Sequence, residues 1–531
     1  MADKLYFSRD SKLYVELTAN DGSFQGLWEV PVLDGFSFSQ STNQTEIGLE
    51  EMESTAGISR RGRRLFTDSL SPAEWSFSTY MRPTTIATNK HHLVDQVLWA
   101  AMAGADQFNG SAVTATGPTL SGDYSRNSTD KATTSGIVHD ETGATLPSGA
   151  SSTTAGLLNF NESNRSTLPK ITLYFVFETD TTNPMVYKLT NAIVNECSVD
   201  FDIDGIATAN WSGFAKEVTD LQTAGKVNVG TSAPTVAQDL VFLDSGADYR
   251  LSVPIDASNA SPPVHDEFRT AITTGVTSTN NFIRNRLTQL EVRGQNPEVM
   301  EGKRVVISSE SSGTFTCAAA HGLKAGDVVR ISGLTGSDAG NFNDKNVFVL
   351  SSGLTTTAFK VSLTSGGSAI SGTVTTSGSP VVDTGIYSFT LTGGNITISN
   401  NVTYLVPEEI GTINKPIEGV TGARGIGGTF NCYLVFDDAT GNTGASADFF
   451  ADLVDADKGL TKVVNEFDVT FKVGGVVAGQ PRVHFNFPKV HIDVPSHNIE
   501  DVISLETNFG AYTEDFDTVD EFNLEVFGVS A

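Results

Sequence analysis

The chain has 531 residues, 39% of them hydrophobic and 18% charged, which is too long for one ordinary domain but ordinary for a soluble globular protein. Its formal net charge of -28 argues against a protein that grips nucleic acid through clustered Lys and Arg. It favours a soluble particle, or a surface that must not adhere to DNA.

Cys197, Cys317 and Cys432 lie far apart and form neither a disulfide framework nor a CxxC metal pair. The opening MADKLYFSRD lacks the apolar core of a signal peptide. No run approaches the roughly 18 apolar residues of a membrane span. Synthesis and storage in a reducing cytoplasm, with no membrane partner, are therefore expected.

Gly is frequent (50 residues), good helix-forming runs are scarce, and short segments of alternating polarity recur, so a mainly β fold is expected. KLYFSRDSKLYVELTANDG and LWEVPVLDGFSFSQSTNQ predict a strand, a hairpin closing between Asp21 and Leu27, and a further strand after a turn at Gly35. An arm, GLEEMES followed by SRRGRRLF, leads to the strand EWSFSTYM at 74–81. HHLVDQVLWAAMA predicts the one good helix of this half, with Leu93, Val97 and Ala100 on one face. Residues 105–168, rich in Ser, Thr, Gly and Asn, predict a long surface loop. MVYKLTNAIVNECSVDFDIDG then predicts strand structure, and 218–280 a connector with a little local structure.

From 281 the same order returns. Phe7 matches Phe282, Arg9 matches Arg284 and Glu16 matches Glu291. Trp28, Val30 and Val32 match Tyr387, Phe389 and Leu391; past Gly35 or Gly394, Phe36 and Phe38 match Ile396 and Ile398. TFNCYL (429–434) stands for EWSFSTYM, and ADFFADLVDA predicts the second helix, with Phe449, Phe450 and Leu453 on one face. RVHFNFPKVHIDVPSHNIEDVISLETNF closes the series. In this half the first hairpin is interrupted between about Gly294 and Thr384 by a segment with its own β pattern, which predicts a small outward-facing barrel.

The strand, arm, strand, helix order, the run NNVTYLVPEEIGTINKPIEGVTGARGIGGTFNCYL and the run IVNECSVDFDIDGIATANWSGF together resemble phage tail tube proteins. The resemblance spans 1–217 and 281–531 without the insert, and 305–365 is similar to small β-barrel modules of phage structural proteins. It implies two tandem tail-tube-like β-sandwich or barrel domains, each with one flanking helix and an extended arm. The expected division is copy one at 1–217, a linker at 218–280, copy two at 281–297 and 383–531, and an inserted small β-barrel at 298–382. It further implies rings that stack into a virion tail tube, assembled in the host cytoplasm. Such a tube holds a tape-measure protein at first and later passes DNA without specific binding. Sheath, tail terminator and baseplate proteins are further expected partners. Because the usual subunit has one such domain and six form a ring, duplication implies a trimeric ring of pseudo-sixfold symmetry, with edge strands paired on closure. A β-rich tail or baseplate adhesin binding a host glycan is the alternative, and a cell-wall hydrolase with an unrecognised site is the third.

Strand alternation puts Asp200, Asp202 and Asp204 on one face, readable as an acidic lumen wall, a calcium site or a solvated surface. In the arm, Glu50, Glu51 and Glu53 oppose Arg60, Arg61, Arg63 and Arg64, with Arg424 the nearest counterpart in copy two. They read as inter-ring contacts, as a nucleic-acid patch or as a solvated turn. His484 and His491 point to opposite faces of one strand, so with His497 they predict no metal site, and His91 and His92 are expected at the solvent-facing start of a helix. The adjacent acids Glu408 and Glu409, and Asp437 and Asp438, diverge on an extended chain. No GxSxG, HExxH or phosphate-binding loop is present, so no catalytic residue, cofactor or metal is expected.

Overall fold

The computed structural model describes residues 5–18, 24–47, 64–87, 90–104, 156–160, 168–177, 185–220, 278–407, 414–436, 444–454, 466–499, 501–513 and 521–530, with short strands at 108–109, 123–124, 136–138, 227–230, 240–244, 249–254 and 268–270. The principal elements of copy one are β1 (Ser11–Thr18), β2 (Phe24–Val30), β3 (Ser37–Ser39), β4 (Thr42–Ile47), β5 (Arg64–Leu70), β6 (Ala73–Tyr80), α1 (Gln96–Ala103), β7 (Gly156–Asn159), β8 (Lys170–Phe177), β9 (Met185–Asp200), β10 (Thr208–Ala215) and β11 (Glu217–Asp220). Copy two opens with β12 (Gln289–Gly294). It is then interrupted by β13 (Arg304–Ser311), β14 (Thr314–Cys317), β15 (Val328–Ser332), β16 (Asn346–Val349), β17 (Ala358–Ser362) and β18 (Val381–Asp383). It resumes with β19 (Ile386–Ser399), β20 (Thr403–Leu405), β21 (Glu418–Val420), β22 (Gly425–Tyr433), α2 (Ser446–Val454), β23 (Phe467–Val473), β24 (Arg482–Ile492), β25 (Ser496–Ile499), β26 (Ile503–Ala511) and β27 (Asn523–Phe527).

The fold is mainly β. In copy one a five-strand sheet runs β2-β1-β8-β9-β11 and a four-strand sheet runs β9-β10-β6-β3. The strand β9 serves both, turning between them at an irregularity flanked by Val194 and Glu196. Copy two repeats the plan: β19-β12-β23-β24-β27, then β25-β26-β22-β19. Here the 14-residue β19 does what β2 and β3 do separately in copy one.

The ladder registers refine the matching read from the sequence. Glu16 sits opposite Thr172 and Leu27, and Glu291 sits opposite Thr470 and Ser388. This equates Trp28 with Phe389 and Val30 with Leu391, two residues beyond the sequence matching. A shift of two preserves the face on which each side chain lies, so the period-2 pattern alone cannot detect it.

α2 presents Phe449, Phe450 and Leu453 inward as its spacing predicts. α1 differs from expectation. It begins at Gln96, all eight of its residues are buried, and His91 and His92 belong to a strand, Lys90–Leu93, paired with Pro83–Ala87. His92 is buried against Gln96, and His91 accepts the Gly528 N–H at 2.9 Å and lies 3.0 Å from Thr85 Oγ1. The reason is tertiary: the end of copy two, Val529–Ser530, runs parallel to Pro83–Ala87, so the expected solvent face is covered. Trp99 packs edge-on to Trp211 at 4.9 Å and near Phe485 of copy two at 6.3 Å.

One hydrophobic core runs through both copies, whereas β13–β18 close a barrel around a core of their own. In the connector, Val227–Gly230, Leu240–Asp244, Tyr249–Pro254 and Phe268–Thr270 form a small sheet. Trp99→Ala opens a cavity in the shared core and is expected to cost about 3–5 kcal/mol. Calorimetry should show both copies melting earlier in a single transition, with the barrel transition unmoved.

Candidate assembly interface

The two copies meet edge to edge. β9 and β19 pair antiparallel, with Glu196 opposite Ser399, Cys197 opposite Ile398, Ser198 opposite Thr397, Val199 opposite Ile396 and Asp200 opposite Asn395. The seam joins the two four-strand sheets into one antiparallel run, β3-β6-β10-β9-β19-β22-β26-β25. Asn195 and Asn400 fasten it. The Val402 N–H donates to Asn195 Oδ1 at 2.7 Å, and the Asn400 amide donates to the carbonyls of Met102 (3.2 Å) and Val194 (3.3 Å). On the far side β7 pairs with β27, so the copies interlock through both layers.

The alternation of these strands divides the long sheet into two faces. Cys197, Val199, Trp211, Ile396, Ile398 and Phe430 point into the core. The register groups Glu74, Ser76 and Ser78 with Asn210 and Ser212, Glu196, Ser198 and Asp200, Asn395 and Thr397, Thr429, and Glu506 and Asn508 on the other. Neither these strands nor the joined stretches of β9 (195–200) and β19 (395–399) contain a Lys or Arg. Phe214, Tyr80 and Tyr433 lie on this face as well, and the rest of it is hydroxyl and amide dotted with carboxylates. Its signal in the sequence is the Ser, Thr and Asn alternation of EWSFSTY and TANWSGF.

Of the three aspartates expected to alternate along one strand, only Asp200 does so. It accepts hydrogen bonds from Asn210 Nδ2 at 2.6 Å and Ser198 Oγ at 3.3 Å. β9 ends there, and Asp202 and Asp204 stand exposed on the turn that leads to Gly205. Polar-apolar alternation continues past the strand end, so it gives no warning of the turn. His484 is buried, 3.1 Å from the Gly475 carbonyl, while His491 is exposed beside Asp493. Among the described residues no cluster of metal-ligating side chains occurs.

β4 and β5 form a hairpin arm in copy one, and β20 and β21 a shorter one in copy two. The arms touch: the Leu70 N–H donates to the Asn414 carbonyl at 2.8 Å. Glu50, Glu51, Glu53, Arg60, Arg61 and Arg63 lie outside the described residues, as do Glu408, Glu409, Asp437 and Asp438. Arg64 pairs with Ile47 across the hairpin, and its guanidinium lies over the Phe66 ring. Arg424 is not displayed outward. Its side chain is 10% exposed, donates to the Phe160 carbonyl at 2.9 Å and lies 3.6 Å from Glu521, so it holds copy one against copy two.

The inserted barrel is fixed to copy two by a buried ionic group. Arg293 donates from Nε to Glu291 Oε1 at 2.8 Å, bonds Asp327 of the barrel, and reaches the Gly322 carbonyl at 2.8 Å. Lys472 holds the other Glu291 oxygen at 2.6 Å. Burial alone would raise Glu291, but Arg293 and Lys472 override it and bring it down to about 2. Burial prevails at Asp468, opposite Arg293 in the ladder, which is pushed up to about 6 against the pull of Lys324 and Arg293. These residues alternate on strands as solvated ones do, so the sequence does not reveal that the barrel covers them.

No protein-family model matches the chain. The tail tube protein pb6 of Escherichia phage T5 is 21% identical over 519 residues, covering 97% of this chain and 75% of the relative. The resemblance to phage tail tube proteins read from the sequence is borne out by this alignment over nearly the whole chain.

Asp468 binds its proton more tightly folded than unfolded, so stability should rise as pH falls from about 6 towards 4. Asp95, buried and also raised to about 6, contributes in the same window. Glu291 acts oppositely, losing stability only as pH falls from about 4.5 towards 2. In Asp468→Asn, the rise of melting temperature as pH falls should be smaller, with the remainder supplied by Asp95 and by Glu16, Asp327 and Asp383, which burial also raises.

Proposed function

We propose that this chain is the structural subunit of a phage tail tube, in which three chains close a pseudo-sixfold ring and rings stack into a hollow tube. The reading divides the chain into tube domains at 1–217 and 281–297 with 383–531, a linker at 218–280 and an outward insert at 298–382. The observation that carries it is the long sheet, built from two like halves and ending in strands that each have one neighbour among the described residues. β3 pairs only with β6, and β25 only with β26. An unpaired edge invites another strand, and two complementary edges on one chain generate a closed ring when the rotation fits.

The internal seam supplies the register for that closure. Tyr80 opposite Thr208 is repeated by Tyr433 opposite Ser504, which equates Asp200 with Asn498, Val199 with His497 and Ser198 with Ser496. Phe38 opposite Trp75 likewise corresponds to Ile396 opposite Gly428. The seam between chains therefore sets Asn498 opposite Ser37, His497 opposite Phe38 and Ser496 opposite Ser39.

The cation-free face then lines the lumen. Phosphates passing it meet hydroxyls, amides and carboxylates, with no ammonium or guanidinium to hold them, so DNA slides without specific binding. The same bore first holds a tape-measure protein. The arms join successive rings, with the charged run from Glu50 to Arg64 setting register, and sheath, terminator and baseplate proteins meet the assembled tail of the virion. The chemistry is assembly, with no catalytic step.

Electron microscopy of assembled protein should count three chains per ring. Ser37→Cys with Asn498→Cys should give oxidation-dependent covalent dimers and trimers, because directly opposite residues bring Cβ atoms to about 4.5–5.5 Å. Monomers that never form rings at high concentration, with no such cross-link, would reject the reading.

Replacing 298–382 by a short turn should leave tubes intact, since Gly294 and Gly385 already meet through a 2.8 Å N–H to carbonyl bond. A variant that folds but forms no tubes would make the insert part of the tube wall, and one that makes tubes yet fails to bind host cells would favour the adhesin role for the insert.

A further inference from the structure

Within the chain, the seam between copies has a clasp beside its strand pairing. The segment that precedes β12 lies across the end of copy one. Phe282 packs edge-on to Tyr80 at 5.3 Å, and the Arg82 guanidinium lies over the Phe282 ring at 5.1 Å. The Ala207 N–H donates to the Ile283 carbonyl, and the Asn285 N–H to the Gly205 carbonyl, each at 3.1 Å. Ile206 bridges Arg284. A 3-10 turn, Asn285–Leu287, then leads into β12.

Both halves of this clasp have counterparts that do not meet each other within one chain. In copy two the Leu434 N–H bonds the Ile503 carbonyl at 3.0 Å, as the Met81 N–H bonds Ala207 at 2.9 Å in copy one. Tyr433 therefore stands for Tyr80, Val435 for Arg82, Val502 for Ile206 and Ile503 for Ala207. These four are exposed by 43%, 45%, 59% and 38%. Beside them lies an open groove of about 750 Å³ lined by Thr392, Tyr433, Ile499, Asp501, Val502 and Ser504. In copy one, Leu5, Tyr6 and Phe7 occupy the place of Phe282, Ile283 and Arg284, directly before the 3-10 turn Ser8–Asp10 and β1. Leu5 is 72% and Phe7 49% exposed, whereas Ile283 is fully buried.

We propose that residues Leu5–Asp10 of one chain clasp the groove of Tyr433, Val435, Val502 and Ile503 on a second copy of the chain, repeating the clasp that Phe282–Asn285 makes internally. The proposal rests on the ring reading and adds to it an interface outside the strand pairing. Chemistry fits at both ends. Leu5 supplies to Tyr433 the apolar side chain that Phe282 supplies to Tyr80, and the apolar Val435 replaces Arg82. The cation moves to the other partner, where Arg9 already lies over Phe7 at 5.1 Å and would reach Asp501 on the groove. An exposed apolar rim and an exposed apolar segment related by the chain's own repeat are what a second copy of the same seam would cover.

The test mixes two single variants, one tagged, so that only links between chains are seen. Cys197, Cys317 and Cys432 are buried and stay silent towards a short flexible bis-maleimide. Phe7→Cys mixed with Val502→Cys should cross-link in assembled protein, and so should the strand pair Ser37→Cys mixed with Asn498→Cys. Cross-linking of the strand pair alone would overturn the clasp and leave the ring standing. Absence of both would overturn the ring and the clasp with it. As a second readout, Leu5→Ser with Phe7→Ser should raise the concentration needed for ring formation at least tenfold without changing the monomer's melting temperature. An unchanged assembly concentration would also overturn the clasp.

Discussion

The structure depends on one backbone constraint: a strand edge must find hydrogen-bonding partners. Inside the chain, the end of β9 and the end of β19 satisfy each other. That pairing converts two small sandwiches into one sheet with a single core beneath it. β7 with β27, Arg424 against Phe160 and Glu521, and the Asn195 and Asn400 bonds all reinforce the same seam. The buried α1 follows from it as well, since Trp99 lies between Trp211 of its own copy and Phe485 of the other.

Strand alternation then sorts chemistry without further machinery. One side of the long sheet carries the aromatic and aliphatic residues that hold the copies together. The other carries the hydroxyls, amides and carboxylates of the proposed bore. The inserted barrel stands apart, with its own core and a buried ionic joint about Arg293 to copy two. Its attachment is ionic, where the seam rests on backbone pairing over a shared apolar core. The cost of taking such charges out of water offsets much of their mutual attraction, so the joint adds little net stability.

The duplication was legible in the sequence because each strand carries its own two-residue rhythm and the turns punctuate it. What the rhythm could not carry was register, and the matching of Trp28 to Tyr387 slipped by two positions for that reason. His91 and His92 read as helix because their spacing suits one. The strand that pairs with them, Pro83–Ala87, is close by, but the segment that covers it, Val529–Ser530, lies far away in the chain. The strand expected to carry Asp200, Asp202 and Asp204 stops at Asp200, while polar-apolar alternation persists into the turn. Arg424 and Arg293 look like surface charges locally, and only the elements folded over them make them internal. The seam itself joins residues about two hundred positions apart and leaves no local trace.

Covalent fusion changes how the proposed ring would evolve and assemble. Half of its seams are intramolecular, so their strands meet at an effective concentration set by the chain rather than by supply. Such a seam can lose affinity by mutation and still form, whereas the seam between β25 and β3 must earn its occupancy from solution. Drift would therefore accumulate unequally, with the internal junction free to acquire swapped strands and buried arginines. The external junction would keep the plainer, self-sufficient contacts, and growth kinetics would be governed by three encounters per ring.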